Sequence, residues 1–460
     1  MISPEQSMAK HVPNTCSDKA DCPPVPIGIP TLVKMAFDGV DLAPVWNTLI
    51  KRVNENPNDA AALVDLSTIA LVQGRPNDRV ALQNMALALQ RVYRQLARAG
   101  ATTPLRVLAF MAPGDFMDSM PVEFLLERSN TILDMVYVVP GSPLPNLLPE
   151  HDVALVCIGE SRENQALLQQ LSTLLASWSR PVVNRPDLIA RLTRVGTWEL
   201  LKSAPGVVIP MQATIDRPLF DRIARGETLI ADILDGNPFP IIARPVDSHA
   251  GEGLCKLQCE TEVAAYLNDR LENEFCIAPF VDYRGKDGLF RKYRVALIDG
   301  LPYAVHMAVS QHWMIHYLNA DMRDNAARRA EEELFIANFD SDFSVRHKVA
   351  FNAIAQLSGL EYLPFDCGET RDGKLLVFET GTNMIVHSMD PADLFPYKQP
   401  QMEKVFDAFQ EMLKKAARGA LDHRDELADR MFSTPDRIFN ASVVVQKFPP
   451  PSPRVRRGNF

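Results

Sequence analysis

The chain has 460 residues, seven cysteines and a formal net charge of -9; this length allows about two to four domains. The acidic balance argues against a nucleic-acid partner, which needs a basic face, and an odd, scattered cysteine count argues against a disulfide framework. No apolar run nears the ~20 residues that span a bilayer, and the start has no secretory h-region, so no membrane partner and a reducing, cytoplasmic setting are expected.

Residues 1–34 begin Pro-rich and polar and are expected to be flexible. From 35 to 103 the pattern is helical. "NPNDAAALVDLSTIALVQG" opens on the capping residues Asn58 and Asp59 and closes on Gly74. "NDRVALQNMALALQRVYRQLARAG" spaces Leu82, Met85, Leu89, Val92 and Leu96 three and four apart, as one helix would. The region is similar to a single tetratricopeptide-like unit, and a helical cap on the next domain is the simpler reading. From 104 to 186, apolar runs ("LRVLAFMA", "DMVYVVP", "HDVALVCIG", "RPVVN") alternate with helical stretches. That alternation predicts an α/β domain with a mostly parallel sheet.

The third region runs from 187 to 440 and carries the chemistry; a Pro/Arg tail at 441–460 is expected to be flexible. "FPIIARPVDSHAGEGL" ends an apolar strand in Arg244, then offers a loop in which Gly251 and Gly253 let backbone N–H groups approach an anion. It has neither the Gly-Lys-Ser/Thr ending of a Walker loop nor the spaced glycines of a dinucleotide fingerprint. Cys255 and Cys259 lack the second pair or nearby histidines of a zinc site. Next comes "RKYRVALIDGLPYAVHMAV", a hairpin turning at Asp299-Gly300. It puts Lys292 and Arg294 on one face and Arg291 on the other. His306, His312 and His316 follow and are read as structural.

The last hairpin, "YLPFDCGETRDGKLLVFETG", is the most informative piece. A two-residue turn at Asp372-Gly373 sets Arg371 opposite Lys374, Glu369 opposite Leu376 and Asp366 opposite Glu379. Two covered carboxylates about 5 Å apart need a cation or a shared proton. Oxygen ligands of this kind suit Mg²⁺ held together with nucleotide phosphates, and Asn383 is a candidate neutral ligand. A slipped register would instead leave one acid at the surface.

The order of these pieces resembles the ATP-grasp superfamily, in particular its carboxylate–amine ligases related to glutathione synthetase, D-Ala-D-Ala ligase and RimK-type glutamate ligases. The resemblance covers roughly Leu105 to Pro391. It implies a pre-ATP-grasp α/β domain (104–186), an α+β ATP-grasp domain (187–440) and an N-terminal all-α extension. "LTRVGTWELL" places Arg194 where the family has a basic triphosphate contact. Arg244 and the loop with His249, Gly251 and Gly253 are similar to the family's phosphate-covering strand and lid. "FCIAPFV" sits where a hinge contacts adenine, which implicates Ala278 and Phe280, with Asp282 a candidate for the ribose. Arg294 matches the arginine that meets phosphate or the acyl intermediate, and Asp366 and Glu379 match the metal ligands.

There are departures. Arg244 stands in place of the family's lysine, Ala278 and Pro279 in place of a polar hinge residue, and Gly381 where the metal-site asparagine comes, with Asn383 as the substitute. The resemblance implies ATP and Mg²⁺ as cofactors, and an amide or peptide bond made through an acylphosphate, with ADP and phosphate released. Arg294 and Arg244 would act in catalysis. The partners are a carboxylate on a small molecule or peptide and an amine, with a homodimer left open. A kinase acting on a hydroxyl and a non-catalytic nucleotide-binding interaction protein are the alternatives. The stretch 311–329 is the expected substrate selector.

Overall fold

The computed structural model describes residues 25–97, 104–248 and 251–419. Four helices come first: α1 (Ile29–Phe37), α2 (Ala43–Glu55), α3 (Ala60–Val72) and α4 (Pro76–Leu89). Asp59 caps α3 by accepting from the Ala62 N–H, and Arg52 of α2 pairs with the same carboxylate. α3 is buried on nearly every side, so α1, α2 and α4 gather around it. These helices form a cap: the Gln83 side chain exchanges hydrogen bonds of 2.8 and 3.0 Å with the Gly114 backbone of the next unit.

Two expectations for this region need correction. Part of the supposedly flexible start is the helix Ile29–Phe37, with Leu32 fully buried beside Leu66 and Ile69. The helix expected to run through Leu96 stops at Leu89, and β1 (Val92–Gln95) follows as a strand. Val92 and Tyr93 favour strand; Tyr93 is buried, and Arg94 lies opposite Asp134 and binds it at 2.7 and 2.9 Å. Met85, Leu89 and Leu96 are exposed, and of the apolar stripe only Leu82 and Val92 pack against a core.

The α/β unit contains β2 (Leu105–Met111), α5 (Val122–Leu126), β3 (Thr131–Tyr137), β4 (Val153–Val156), α6 (Gln165–Leu175) and β5 (Val182–Val183). Its sheet has the order β1-β3-β2-β4-β5, parallel except for β1. Then come α7 (Pro186–Ile189), α8 (Arg194–Leu201) and β6 (Val207–Val208). A small lobe follows, with β7 (Ala213–Asp216), α9 (Arg217–Ala224), α10 (Ile230–Ile233), β8 (Ile241–Pro245), β9 (Cys255–Leu257), α11 (Glu260–Asn268) and β10 (Glu274–Pro279). Its antiparallel sheet, β7-β10-β8-β9, packs on α9 and α11 around Phe220, Phe275 and Tyr266.

The remaining elements are β11 (Phe290–Ile298), β12 (Leu301–Ser310), α12 (Ala326–Asn338), α13 (Phe343–Arg346), α14 (Lys348–Ser358), β13 (Tyr362–Glu369), β14 (Leu375–Thr380) and α15 (Lys398–Ala417). They build the sheet β12-β11-β13-β14-β6. Phe110 and Val156 of the first sheet share one core with Val295 and Phe365 of this one. α15 seals a second core against β2–β4 with Phe409 and Leu413. The class is therefore α/β with an N-terminal helical region, as expected. No described helix is long and apolar enough to cross a membrane.

Glu123 on α5 is out of place in this core. It is buried, its Oε2 has no hydrogen-bond partner among the described residues, and burial pushes its carboxyl up from an ordinary 4.5 to about 7. A raised folded-state value means stability is present below the ordinary value and lost as pH rises through about 7. Carrying the charge at pH 8 therefore costs on the order of 3 kcal/mol. Glu123→Gln should raise the melting temperature at pH 8 and flatten the stability–pH profile between pH 5 and 8. Thermal melts across that range check this, and a lower melting temperature at pH 8 would sink it.

Candidate active site

The small lobe and the β11–β14 sheet line a common cavity of about 890 Å³, to which the loop before α8 and helix α1 also contribute. Its chemistry begins at the last hairpin. Asp366 does lie opposite Glu379, but by a different route from the one the sequence suggests. Glu369 pairs with Leu375, Gly368 with Leu376 and Cys367 with Val377. The turn is thus one residue longer than supposed, with Gly373 in the left-handed region at φ 78°. A bulge at Phe378 then shifts the register back by one and restores the carboxylate pair.

Asp366 is almost fully buried and accepts from Lys292 Nζ at 2.8 Å and from Arg294 Nε and Nη2 at 2.7 and 3.0 Å. Burial alone would raise its carboxyl, but Arg294 and Lys292 hold it far below the usual carboxylate range. Lys292 and Arg294 share a face as expected; Arg291, on the other, pairs with Asp287 and Glu331. The hairpin behind them turns at Asp299 (φ 49°) and Gly300 (φ 75°), both left-handed as a two-residue turn requires.

Arg194 opens α8, behind a Thr193 cap that accepts from the Gly196 N–H, and reaches Glu379 at 2.8 Å. Burial pushes the Glu379 carboxyl up, and Arg194, helped by Lys292 and Arg244, brings it below its ordinary value. Arg244, at the end of β8, is buried; its Nε donates to Ser248 Oγ at 2.9 Å and its Nη2 to the Ser248 carbonyl. No carboxylate among the described residues lies within ion-pair distance of it. Burial, and then repulsion from Arg194, pushes its guanidinium down to about 10. A buried cation next to another cation calls for an anion between them.

The loop after Arg244 needs its glycines. Gly253 has φ 64°, and a Cβ there would come within 2.6 Å of Pro245 Cδ. Gly251 (φ 80°) lines the cavity, Gly253 does not, and His249 lies outside the described residues. An apolar wall completes this part of the cavity: Ile242, Ala278, Phe280, Leu376 and Phe378. Phe280 meets the edge of Trp313 at 5.7 Å and carries Lys256 Nζ 3.6 Å over its ring.

Asp282 does not line the cavity, although its neighbours Val281 and Tyr283 do; its carboxylate pairs with Arg284 and with Arg371 of the β13–β14 turn. Asn383 lines the cavity, but its amide nitrogen donates to the Met117 carbonyl. Its Oδ1 lies 2.8 Å from where a Cβ on residue 381 would stand, so Gly381 leaves room for Asn383.

Several lining residues were not singled out as site candidates. The His306 ring lies tilted against Tyr317, centroids 4.7 Å apart, and burial and Arg294 keep it neutral. Lys398 of α15 reaches Glu332, Asp390 and Tyr317. Val33 and Phe37 come from α1, and Glu160 and Arg162 from the α/β unit. The only sequence signal for the α1 pair is their four-residue spacing, which core residues share. Trp313 to Tyr317 and Asn319, within the expected selector stretch, do reach the cavity.

No family model matches the sequence, and no curated protein matches it. Solved structures do match. A RimK domain protein ATP-grasp from Sphaerobacter thermophilus is 17% identical, with a TM-score of 0.38 over 67% of this chain and 99% of that one. The VanG D-Ala:D-Ser ligase from Enterococcus faecalis is 12% identical, with a TM-score of 0.42 over 68% of this chain and 100% of its own. The D-alanine-D-alanine ligase from Coxiella burnetii is also 12% identical, with a TM-score of 0.41 over 71% and 98%.

Proposed function

We propose that the chain is an ATP-dependent carboxylate–amine ligase working through an acylphosphate. One observation carries this reading: Arg194, Arg244, Lys292 and Arg294 converge with the Asp366–Glu379 pair on one cavity that also has an apolar wall. A nucleoside triphosphate has both needs, with a flat base for the wall and a chain of phosphates for the cations. Ala278 and Phe280 would flank the base, and Arg194 and Arg244 would hold the phosphates.

The donor set also fits Mg²⁺. Asp366 and Glu379 are held ionised by their neighbours and offer hard oxygens, with Asn383 Oδ1 as a candidate third. No cluster of three or more His, Cys, Asp or Glu suited to a metal occurs among the described residues. Two carboxylates completed by phosphate oxygens and water is the usual magnesium arrangement. When bound, the ion neutralises charge on the phosphates. Lys292 and Arg294 now spend their charge on Asp366, and would share it with the transferring group. The substrate carboxylate attacks the γ-phosphorus, the bond to the ADP oxygen breaks, and the amine then displaces phosphate from the acyl carbon. The loop following Arg244 would cover the phosphates and keep water from the acylphosphate. The buried free thiols Cys157, Cys276 and Cys367 fit a reducing, cytoplasmic setting.

Purified protein, ATP, Mg²⁺ and a panel of carboxylates with hydroxylamine as the amine test the reading. A ligase releases ADP and forms a hydroxamate with at least one acid. ADP release with a phosphorylated alcohol, or nucleotide binding without ADP release, would replace it.

A further inference from the structure

Helix α1 belongs to the helical cap, yet Val33 and Phe37, four residues apart on one face, line the same cavity as Arg294 and Asp366. Around them the lining is apolar, with Phe116, Met117, Phe124 and Met389. His387 stands between two rings, its centroid 6.2 Å from Phe37 and 6.3 Å from Phe124. The imidazole is neutral at physiological pH: burial pushes it down to about 4 against the pull of Asp390, and Lys398 and Arg294 add to the effect. Its Nδ1 accepts from the Met389 N–H at 3.2 Å, so its proton sits on Nε2. It offers one donor within an apolar lining.

This part of the cavity adjoins the reacting end. Arg294 Nη1 donates at 3.1 Å to the carbonyl of Ile385, two residues before His387. α1 is also held in place. Asp65 of α3 accepts from the Ile27 and Gly28 N–H groups at 2.7 and 3.1 Å, and Arg323 lies 5.6 Å over the Phe37 ring. A helix fixed at its start and clamped over its aromatic residue is a wall.

We infer that the cap helix α1 forms the specificity wall of the carboxylate subsite. The acid it takes carries an apolar or aromatic body against Phe37 and Phe124, with a carbonyl or hydroxyl oxygen in reach of His387. This rests on the ligase reading for the position of the carboxylate near Arg294. A small, charged acid would set its second charge against phenyl rings and methionines rather than against an apolar body.

Titration calorimetry on the full chain with ADP and Mg²⁺ present tests this without turnover, so a failure of the ligase reading shows separately as absence of hydroxamate. The probes are N-acetylphenylalanine and N-acetylglutamate, which share carboxylate and carbonyl and differ in the body. The phenyl compound should bind at least about tenfold tighter. Phe37→Ala should lose about tenfold of that affinity, Phe37→Leu should keep most of it, and ADP affinity should stay within about twofold in both. Should Phe37→Ala lose its fold, Val33→Ser on the same face carries the same test. Equal affinity for the two probes, a preference for the glutamate compound, no binding of the phenyl compound at millimolar concentration, or a parallel loss of ADP binding in the variants would overturn the inference.

Discussion

Glu379→Gln is expected to leave the protein folded and to reduce Mg²⁺-dependent ATP turnover about a thousandfold or more, since one metal-held carboxylate supports several kcal/mol of transition-state stabilisation. The side chain is only partly buried and its one ion-pair partner among the described residues is Arg194, so little of the fold depends on its charge. Its loss also leaves Arg194 beside Arg244 with one fewer counter-charge. Metal-free ATP should therefore bind the variant at least as tightly as the wild type while turnover collapses. Asp366→Asn should behave differently. Asp366 is the shared counter-ion of Lys292 and Arg294 in a buried position. Neutralising it leaves two cations facing each other out of water, at a cost of roughly 3–5 kcal/mol. This variant should lose both turnover and melting temperature. Thermal melts and ADP release on the two proteins check the split. Normal turnover in Glu379→Gln would remove the metal-site assignment, and an unchanged melt in Asp366→Asn would remove the buried-cation argument.

The difference between those two acids was not visible in the sequence, although their pairing was. Apolar runs on both parities around Asp366 and Glu379 marked a covered hairpin, and one-in-two spacing set the two acids on the same face. The Asp366–Glu379 pairing came out right although the turn, and with it the partner of Glu369, was read wrongly. Thr370, as Lys374 donates to its side chain, closes a three-residue turn, and Phe378 bulges to take up the extra step. Bulges leave no local mark in composition, so such compensation cannot be read from spacing. The misread of Val92 to Leu96 has another cause: the helical period continues past Leu89, but pairing with β3 and the Arg94–Asp134 contact decide the conformation. Tertiary pairing overrides a local period of a few residues. The surroundings of Asp282 and α1 were hidden for the same kind of reason: Asp282 pairs with Arg371 and Phe37 of α1 meets His387, and both partners are distant in sequence.

Arg244→Met is expected to raise the melting temperature of the nucleotide-free protein by a few degrees and to weaken ATP binding about a hundredfold. The two effects share one origin. A guanidinium buried beside Arg194, and pushed down to about 10 by that burial and that neighbour, is a local liability until an anion arrives. Methionine fills similar space without the charge. Arg244→Lys separates the remaining roles. The present side chain donates from Nε to Ser248 Oγ and from Nη2 to the Ser248 carbonyl, which ties the start of the glycine loop to β8. A lysine keeps the charge, but its single ammonium cannot serve the loop and a phosphate through two planar edges. It should bind ATP within about threefold of wild type yet turn over about tenfold more slowly, because the cover over the phosphates would be held less firmly. Melts without nucleotide, ATP titrations and initial rates on the three proteins decide it. If Arg244→Met melts lower and binds ATP as before, the guanidinium is a structural clamp and not a phosphate ligand. If Arg244→Lys matches wild type in rate, the contact with Ser248 does nothing for the closed loop, and the arginine at this position is neutral with respect to lysine.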